Sequence, residues 1–154
     1  MRLTLVMGLI GLSALLFACS SDDSGSEEPA ATAAATATGG AATGETTVEV
    51  KLSDFAIAVS TDTVPAGEAR FEAENVGSTP HELVLIKTDL AHDALPIADS
   101  KVDESQVNGI GEIEEFPAGE SQTGSFELEA GAYVLICNVV GHYQLGMHIP
   151  FTVE

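Results

Sequence analysis

The feature that most restricts this chain is a short C-terminal run in which metal-binding side chains follow a strongly β-prone segment. Residues 133–137 read Tyr-Val-Leu-Ile-Cys, a composition typical of a buried strand. Cys137, His142 and Met147 then follow, with four residues between each and the next. One tight loop at the end of a strand can therefore direct a thiol, an imidazole and a thioether towards one point.

Two glycines and one distant histidine extend this pattern. Gly141 and Gly146 each precede one of the loop's candidate ligands and allow the sharp turns that such a loop needs. His81 stands far upstream, at the entry to the apolar run 83–86, and would complete the set from a second strand. One thiolate and two imidazoles with a weak axial thioether are the ligands of a blue-copper site.

These residues also allow other interpretations. A single Cys on a strand, a single Met or a single His beside Gly is more often core or loop than ligand, but the ordered combination favours a metal site. Zinc is the main rival, because a Cys-His-His set would hold it well. The thioether favours copper. His148 is expected to point away from Met147, and His92 is expected at the surface.

The N-terminal third predicts export rather than a folded domain. Residues 1–18 combine a charged start with a short apolar run, as in a signal peptide, and Leu16-Phe17-Ala18 before Cys19 resembles a bacterial lipobox. That resemblance implies cleavage before Cys19 and acylation of its thiol; an ordinary secretory signal or an uncleaved anchor is the alternative. Residues 19–46 lack large apolar side chains and are predicted to be a flexible tether.

The charge of the chain limits its partners. The formal net charge is −19, and residues 47–154 alone carry about −15 at neutral pH. Nucleic acid is therefore not expected as a ligand, because binding it requires a basic face. A cationic partner fits the charge, as does simple solubility.

Residues 47–154 predict an all-β domain. Apolar and polar residues alternate around Val48–Leu52, Phe55–Val59 and Ala69–Ala73, and a final strand is expected at Ile149–Val153. Turn residues separate these segments, and Asn108-Gly109-Ile110-Gly111 is interpreted as a further turn. Several short strands in about 108 residues indicate a β-sandwich.

The same residues resemble a known family. The segment from Ala130-Gly131-Ala132-Tyr133 through Cys137, His142 and Met147 resembles the cupredoxins, the blue-copper proteins related to plastocyanin and azurin, and its equal gaps resemble the auracyanin and rusticyanin branch. The upstream residues Phe71, Asn75, Gly77, His81 and Glu82 are similar to that family's first-ligand strand. The resemblance implies a Greek-key sandwich of about 7–8 strands and one type 1 copper.

The resemblance also implies residue roles. His81, Cys137 and His142 would be equatorial copper ligands, and Met147 the axial one. Many cupredoxins have Asn or Asp where this chain has Glu82, so the bond that orders the thiolate loop is expected from Asn138 or Thr79 instead. His142 would be the electron port, with an apolar patch expected from Val139, Val140, Tyr143 and Leu145.

The function implied is single-electron transfer outside the cytoplasm. The expected partner is a c-type cytochrome or a terminal oxidase, met by a monomer that a lipid anchor at Cys19 holds to a membrane. Copper capture for homeostasis or delivery is the alternative. Catalysis by the chain alone is not expected, because the sequence has four His and no His-x-His pair for further copper ions.

Overall fold

The computed structural model describes residues 46–154, and the predicted signal peptide, Cys19 and most of the predicted tether lie outside that range. Nearly all regular structure in it is β. In chain order the strands are β1 (Thr46–Ser53), β2 (Ala56–Val59), β3 (Thr63–Val64), β4 (Gly67–Asn75), β5 (His81–Lys87), β6 (Ile97–Ala98), β7 (Lys101–Val102), β8 (Asn108–Phe116), β9 (Ser121–Leu128), β10 (Gly131–Ile136) and β11 (His148–Val153). Two short 3-10 helices occupy Glu104–Gln106 and Tyr143–Leu145.

The strands form two main sheets and a small ribbon. The first sheet has the order β2-β1-β4-β9, and the second has the order β3-β11-β10-β5-β8. Pairing is antiparallel except between β1 and β4 and between β3 and β11. β6 and β7 pair only with each other, within the long connection between β5 and β8.

The main core lies between the two sheets. Alternate residues of β1 and β4 face it, which explains the period of two in their sequences: Val48, Val50, Leu52, Ala69, Phe71 and Ala73. Cys137 and Met147 belong to the same buried cluster. The predicted metal-binding loop therefore rests on one end of the core.

A second apolar cluster covers the other face of the second sheet. The connection 88–107 packs Leu95 and Val102 against Val84, Ile86 and Ile136. β5 and β10 are therefore buried on both faces, which accounts for their continuous apolar sequences.

The structure confirms the predicted all-β sandwich. Within residues 46–154, eight strands have four or more residues, in keeping with the predicted 7–8. No helix in this part of the chain is long and apolar enough to cross a membrane.

Two local predictions were wrong. Asn108 to Gly111 do not form a turn but begin β8. Gly111 is needed there because a Cβ would overlap the ring of Phe126. Phe55 does not belong to a strand; it lies in the turn between β1 and β2, with φ of 66°.

Candidate metal centre

Three of the predicted ligands converge at one end of the sandwich. His81 is the first residue of β5, Cys137 directly follows β10, and His142 lies in the loop after it. Nδ1 of His81 is 3.2 Å from Nδ1 of His142, and Cys137 Sγ is 3.8 Å and 3.5 Å from these two atoms, respectively. The pairing of β5 with β8 is irregular between His81 and Leu83, a distortion of the kind often found beside functional sites.

The spacing of these atoms fits a single metal ion. A triangle with these three sides has its centre about 2.0 Å from each corner, close to the bonds of about 2.0–2.3 Å that nitrogen and sulfur make to zinc-sized ions. Two imidazole nitrogens and one sulfur are thus directed at a common point. Among the described residues, this is the one group of three or more His, Cys or acidic side chains placed to hold an ion.

Backbone hydrogen bonds close the loop on itself and fix its side chains. The N–H of Cys137 donates to the carbonyl of Met147 (3.0 Å), and the N–H of Met147 donates to the carbonyl of His142 (3.1 Å). Gly141 and Gly146 have φ of 84° and 111°, so both of the predicted turn glycines adopt the left-handed conformation that other residues avoid. Met147 is fully buried at the end of this loop.

An acidic residue that sequence reasoning missed lies behind His81. The Nε2 atom of His81 is buried without a hydrogen-bond partner, and its nearest acidic atom is Oδ1 of Asp54, at 3.4 Å. A metal on Nδ1 would place the ring proton on Nε2, facing this carboxylate. Gly77 makes the approach possible, because a Cβ there would lie 2.6 Å from Nε2 and 2.7 Å from Oδ1.

The loop before His81 holds this arrangement in place. Asp54 accepts hydrogen bonds from the hydroxyls of Ser78 (2.6 Å) and Thr79 (3.1 Å). These bonds, with one from the Ser78 N–H, keep the pKa of Asp54 well below its usual range, so it is charged. The amide of buried Asn75 donates to the carbonyls of Thr79 and Phe116, joining this loop to β8.

Burial sets the protonation of the candidate ligands. It lowers the pKa of His81, and repulsion from His142 adds to the effect, so His81 stays neutral and able to bind metal. Burial also raises the pKa of the Cys137 thiol, although the backbone N–H groups of Glu82 and Val139 oppose this by hydrogen bonding to sulfur. A bound cation would supply the charge that this buried sulfur needs to become a thiolate.

Asn138 and Thr79 were the two residues expected to order the thiolate loop, and only Asn138 makes such a contact. The carbonyl of the Asn138 side chain accepts from Val102 N–H (2.7 Å), and its amide donates to Glu104 (2.7 Å), so the thiolate loop is tied to the connection 88–107. Thr79 acts through Asp54 instead. Burial raises the pKa of Glu82, with Lys101 opposing the shift.

Exposed apolar side chains lie next to the partly exposed residue His142, one against its ring and two close to it in the chain. Phe55, Val140 and Leu145 have exposed fractions of 49%, 65% and 58%. The ring of Phe55 stands edge-on to that of His142, with centroids 6.0 Å apart. Tyr143 was wrongly placed in this patch: it is buried, and it packs in the second apolar cluster.

The two remaining histidines lie away from the three-donor site. His148 and Met147 are neighbours, yet Met147 packs in the core between the sheets whereas the ring of His148 packs on Tyr143, as alternation along a strand predicts. His92 is partly buried rather than a free surface residue, and its Nδ1 lies 2.7 Å from that of His148.

Solved structures share this fold, although no protein-family model and no curated protein matches the sequence. Dithionite-reduced auracyanin from the photosynthetic bacterium Roseiflexus castenholzii is 24% identical, with a TM-score of 0.54 over 71% of this chain and 98% of that one. Auracyanin A, a "blue" copper protein from the green thermophilic photosynthetic bacterium Chloroflexus aurantiacus, is also 24% identical, with a TM-score of 0.54 over 72% of this chain and 100% of that one. Auracyanin B is 26% identical, with a TM-score of 0.53 over 71% of this chain and 88% of that one.

The chain has the cupredoxin fold. The cluster of His81, Cys137 and His142, together with the buried Met147 from the same loop as His142, fits a single type 1 copper site. The fit rests on donor chemistry and spacing together: one sulfur and two imidazoles at ligand distance from a common point.

Proposed function

We propose that this cupredoxin is a blue-copper electron carrier. His81, Cys137 and His142 would hold the copper, with the thioether of Met147 as a fourth, weaker donor. The observation that carries the proposal is the convergence of the two Nδ1 atoms and Sγ within 3.8 Å of one another. When bound, copper supplies one-electron chemistry by alternating between Cu(II) and Cu(I).

The chain's contribution is a donor set that need not move. His81 is held on a strand and Cys137 at a strand end, while His142 and Met147 lie in a loop closed by backbone hydrogen bonds. A site that keeps its shape in both oxidation states loses little energy to reorganisation when an electron passes. With these four side chains engaged, no ligand position stays open for a substrate, so we infer no catalysis by the chain alone.

The route for the electron is through His142. It is the most exposed of the three converging residues, and Phe55, Val140 and Leu145 form an apolar surface beside it. An apolar surface of this kind suits brief docking with a redox protein, for which we propose a c-type cytochrome or a terminal oxidase.

The location proposed is extracytoplasmic. It rests on the sequence of residues 1–18 and on Cys19, which would carry a lipid that anchors a monomeric domain to a membrane. The mass of the mature protein tests this: cleavage before Cys19 with added acyl groups is expected, and a Cys19→Ser variant should be neither acylated nor membrane-bound. An unmodified Cys19 in the mature protein would rule the anchor out.

Electron transfer is tested by mixing the reduced, copper-loaded chain with an oxidised c-type cytochrome in a stopped-flow instrument. Rapid reduction of the cytochrome, absent with a Cys137→Ser variant, is expected. No transfer to any c-type cytochrome or terminal oxidase of the source would contradict the proposal.

Copper delivery is the second candidate, and the rate of copper loss separates it from the first. An electron carrier should release copper very slowly to a weak chelator, because Cys137 and Met147 lie in the core and the loop that carries His142 is closed by backbone hydrogen bonds. A delivery protein should release it quickly. Fast release without electron transfer would replace the electron-carrier proposal by this one.

A further inference from the structure

The four histidines of this chain form two pairs, and the three-donor site uses only one of them. In the second pair, Nδ1 of His92 lies 2.7 Å from Nδ1 of His148, and the ring centroids are 4.9 Å apart. Both residues are partly exposed, so a cation in solution can reach them.

A single buried tyrosine positions both members of the second pair. The hydroxyl of Tyr143 donates to the carbonyl of His92 (2.9 Å) and accepts from the N–H of Leu95 (2.9 Å). Its ring packs on that of His148, with centroids 4.8 Å apart. The connection carrying His92 and the strand carrying His148 are thus held so that the two rings face each other.

The separation of the two nitrogens indicates which metal geometry they suit. Two ligands 2.7 Å apart, each about 2.0 Å from an ion, subtend about 85°, close to the right angle between neighbouring positions of a square-planar or octahedral ion. Neighbouring nitrogens of a tetrahedral ion would be about 3.3 Å apart. The pair therefore matches Cu(II) or Ni(II) better than tetrahedral zinc.

We propose that His92 and His148 form a second metal site, which takes Cu(II) in preference to Ni(II). The order of preference follows the general affinity series of first-row divalent ions for nitrogen ligands. Water fills the remaining positions, and the exposed carboxylate of Asp93, the residue next to His92, is near enough for its charge to act on His148. The site does not depend on the role proposed for the three-donor centre.

Electron paramagnetic resonance of the full chain tests this proposal. A Cys19→Ser background leaves Cys137 as the only thiol. The chain is loaded with one equivalent of copper and then titrated with a second equivalent of Cu(II). The expected result is a tetragonal Cu(II) signal coupled to two imidazole nitrogens, in addition to the signal of the first equivalent.

Two variants and one control decide the assignment. His92→Gln and His148→Gln should each lose the second signal while retaining the first equivalent of copper, whereas Asp89→Asn, on the same connection, should keep both. If the second equivalent gives the same signal in His92→Gln as in the unaltered pair, it is bound elsewhere. If no second equivalent binds, the pair is a histidine–histidine hydrogen bond only. Either result overturns the proposal, whether or not the three-donor site proves to be a blue-copper site.

Discussion

At the residue scale, Asp54 is the charge placed to act most directly on the candidate centre. It faces the buried Nε2 of His81 at 3.4 Å, while Ser78 and Thr79 keep it ionised. A carboxylate behind a metal-binding imidazole fixes which nitrogen carries the proton and makes the other a stronger ligand. The same negative charge stabilises Cu(II) relative to Cu(I).

An Asp54→Asn substitution should therefore weaken copper binding and raise the reduction potential. Loss of such a supporting group typically costs about 10–100-fold in metal affinity. Competition with a chelator measures the affinity, and voltammetry the potential.

The matched control for Asp54 is Asp62→Asn, which removes an equal charge from an exposed residue beside β3. Asp62→Asn should leave affinity and potential close to those of the unaltered chain. Equal effects of the two substitutions would show that Asp54 acts only through net charge.

The candidate ligand residues could be named from the sequence, whereas the residues that support them could not. Cys137, His142 and Met147 stand at regular intervals in one short loop, so a local pattern reveals them. Asp54 and Gly77 come together only through folding, and their closeness to His81 leaves no periodic signal. Phe55 continues the alternation of its neighbours, which concealed its place in a turn.

At the element scale, the connection 88–107 is attached to the metal-binding loop by two side chains. Tyr143 binds His92 and Leu95, and Asn138 binds Val102 and Glu104. This connection covers the outer face of β5 and β10, so its attachment keeps both strands buried. Its two strands have only two residues each and are too short to show a period. The sequence therefore did not predict that this connection covers the second sheet.

A Tyr143→Phe substitution should lower the free energy of unfolding by about 1–3 kcal/mol, the usual cost of leaving a buried polar group without its partner. The group affected is the N–H of buried Leu95, which donates to the Tyr143 hydroxyl. Urea denaturation of the copper-free chain measures the change.

Tyr133→Phe provides the matched control for Tyr143. The Tyr133 hydroxyl also makes one donated hydrogen bond, to the carbonyl of Glu129, but Glu129 is exposed and water can replace the lost donor. We therefore expect Tyr133→Phe to lower the free energy of unfolding by less than Tyr143→Phe does. If the two substitutions lowered the free energy of unfolding equally, the hydrogen bonds between Tyr143 and the connection 88–107 would contribute no more stability than an exposed hydrogen bond does.

At the scale of the whole molecule, the acidic surface determines how the domain meets its partners. Residues 47–154 carry a net charge of about −15, which attracts a cationic partner over distances longer than any single contact. The apolar surface beside His142 would then act only after the two proteins have met.

Electron transfer to a basic c-type cytochrome should therefore slow as salt is added. Screening shortens the range of the attraction to about 10 Å at 0.1 M ionic strength, and steered association commonly loses a factor of 10 or more. Stopped-flow rates between 10 mM and 300 mM salt measure this, with an acidic cytochrome as the control that should speed up. A rate independent of salt would show that the surface charge serves solubility alone.

The most direct test of the central claim is the visible absorption spectrum of the full chain after addition of one equivalent of Cu(II). We predict an intense thiolate-to-copper band that bleaches with ascorbate, persists in Cys19→Ser and is lost in Cys137→Ser. A protein that binds one metal but stays colourless, or a band that survives the loss of Cys137, would contradict the blue-copper assignment.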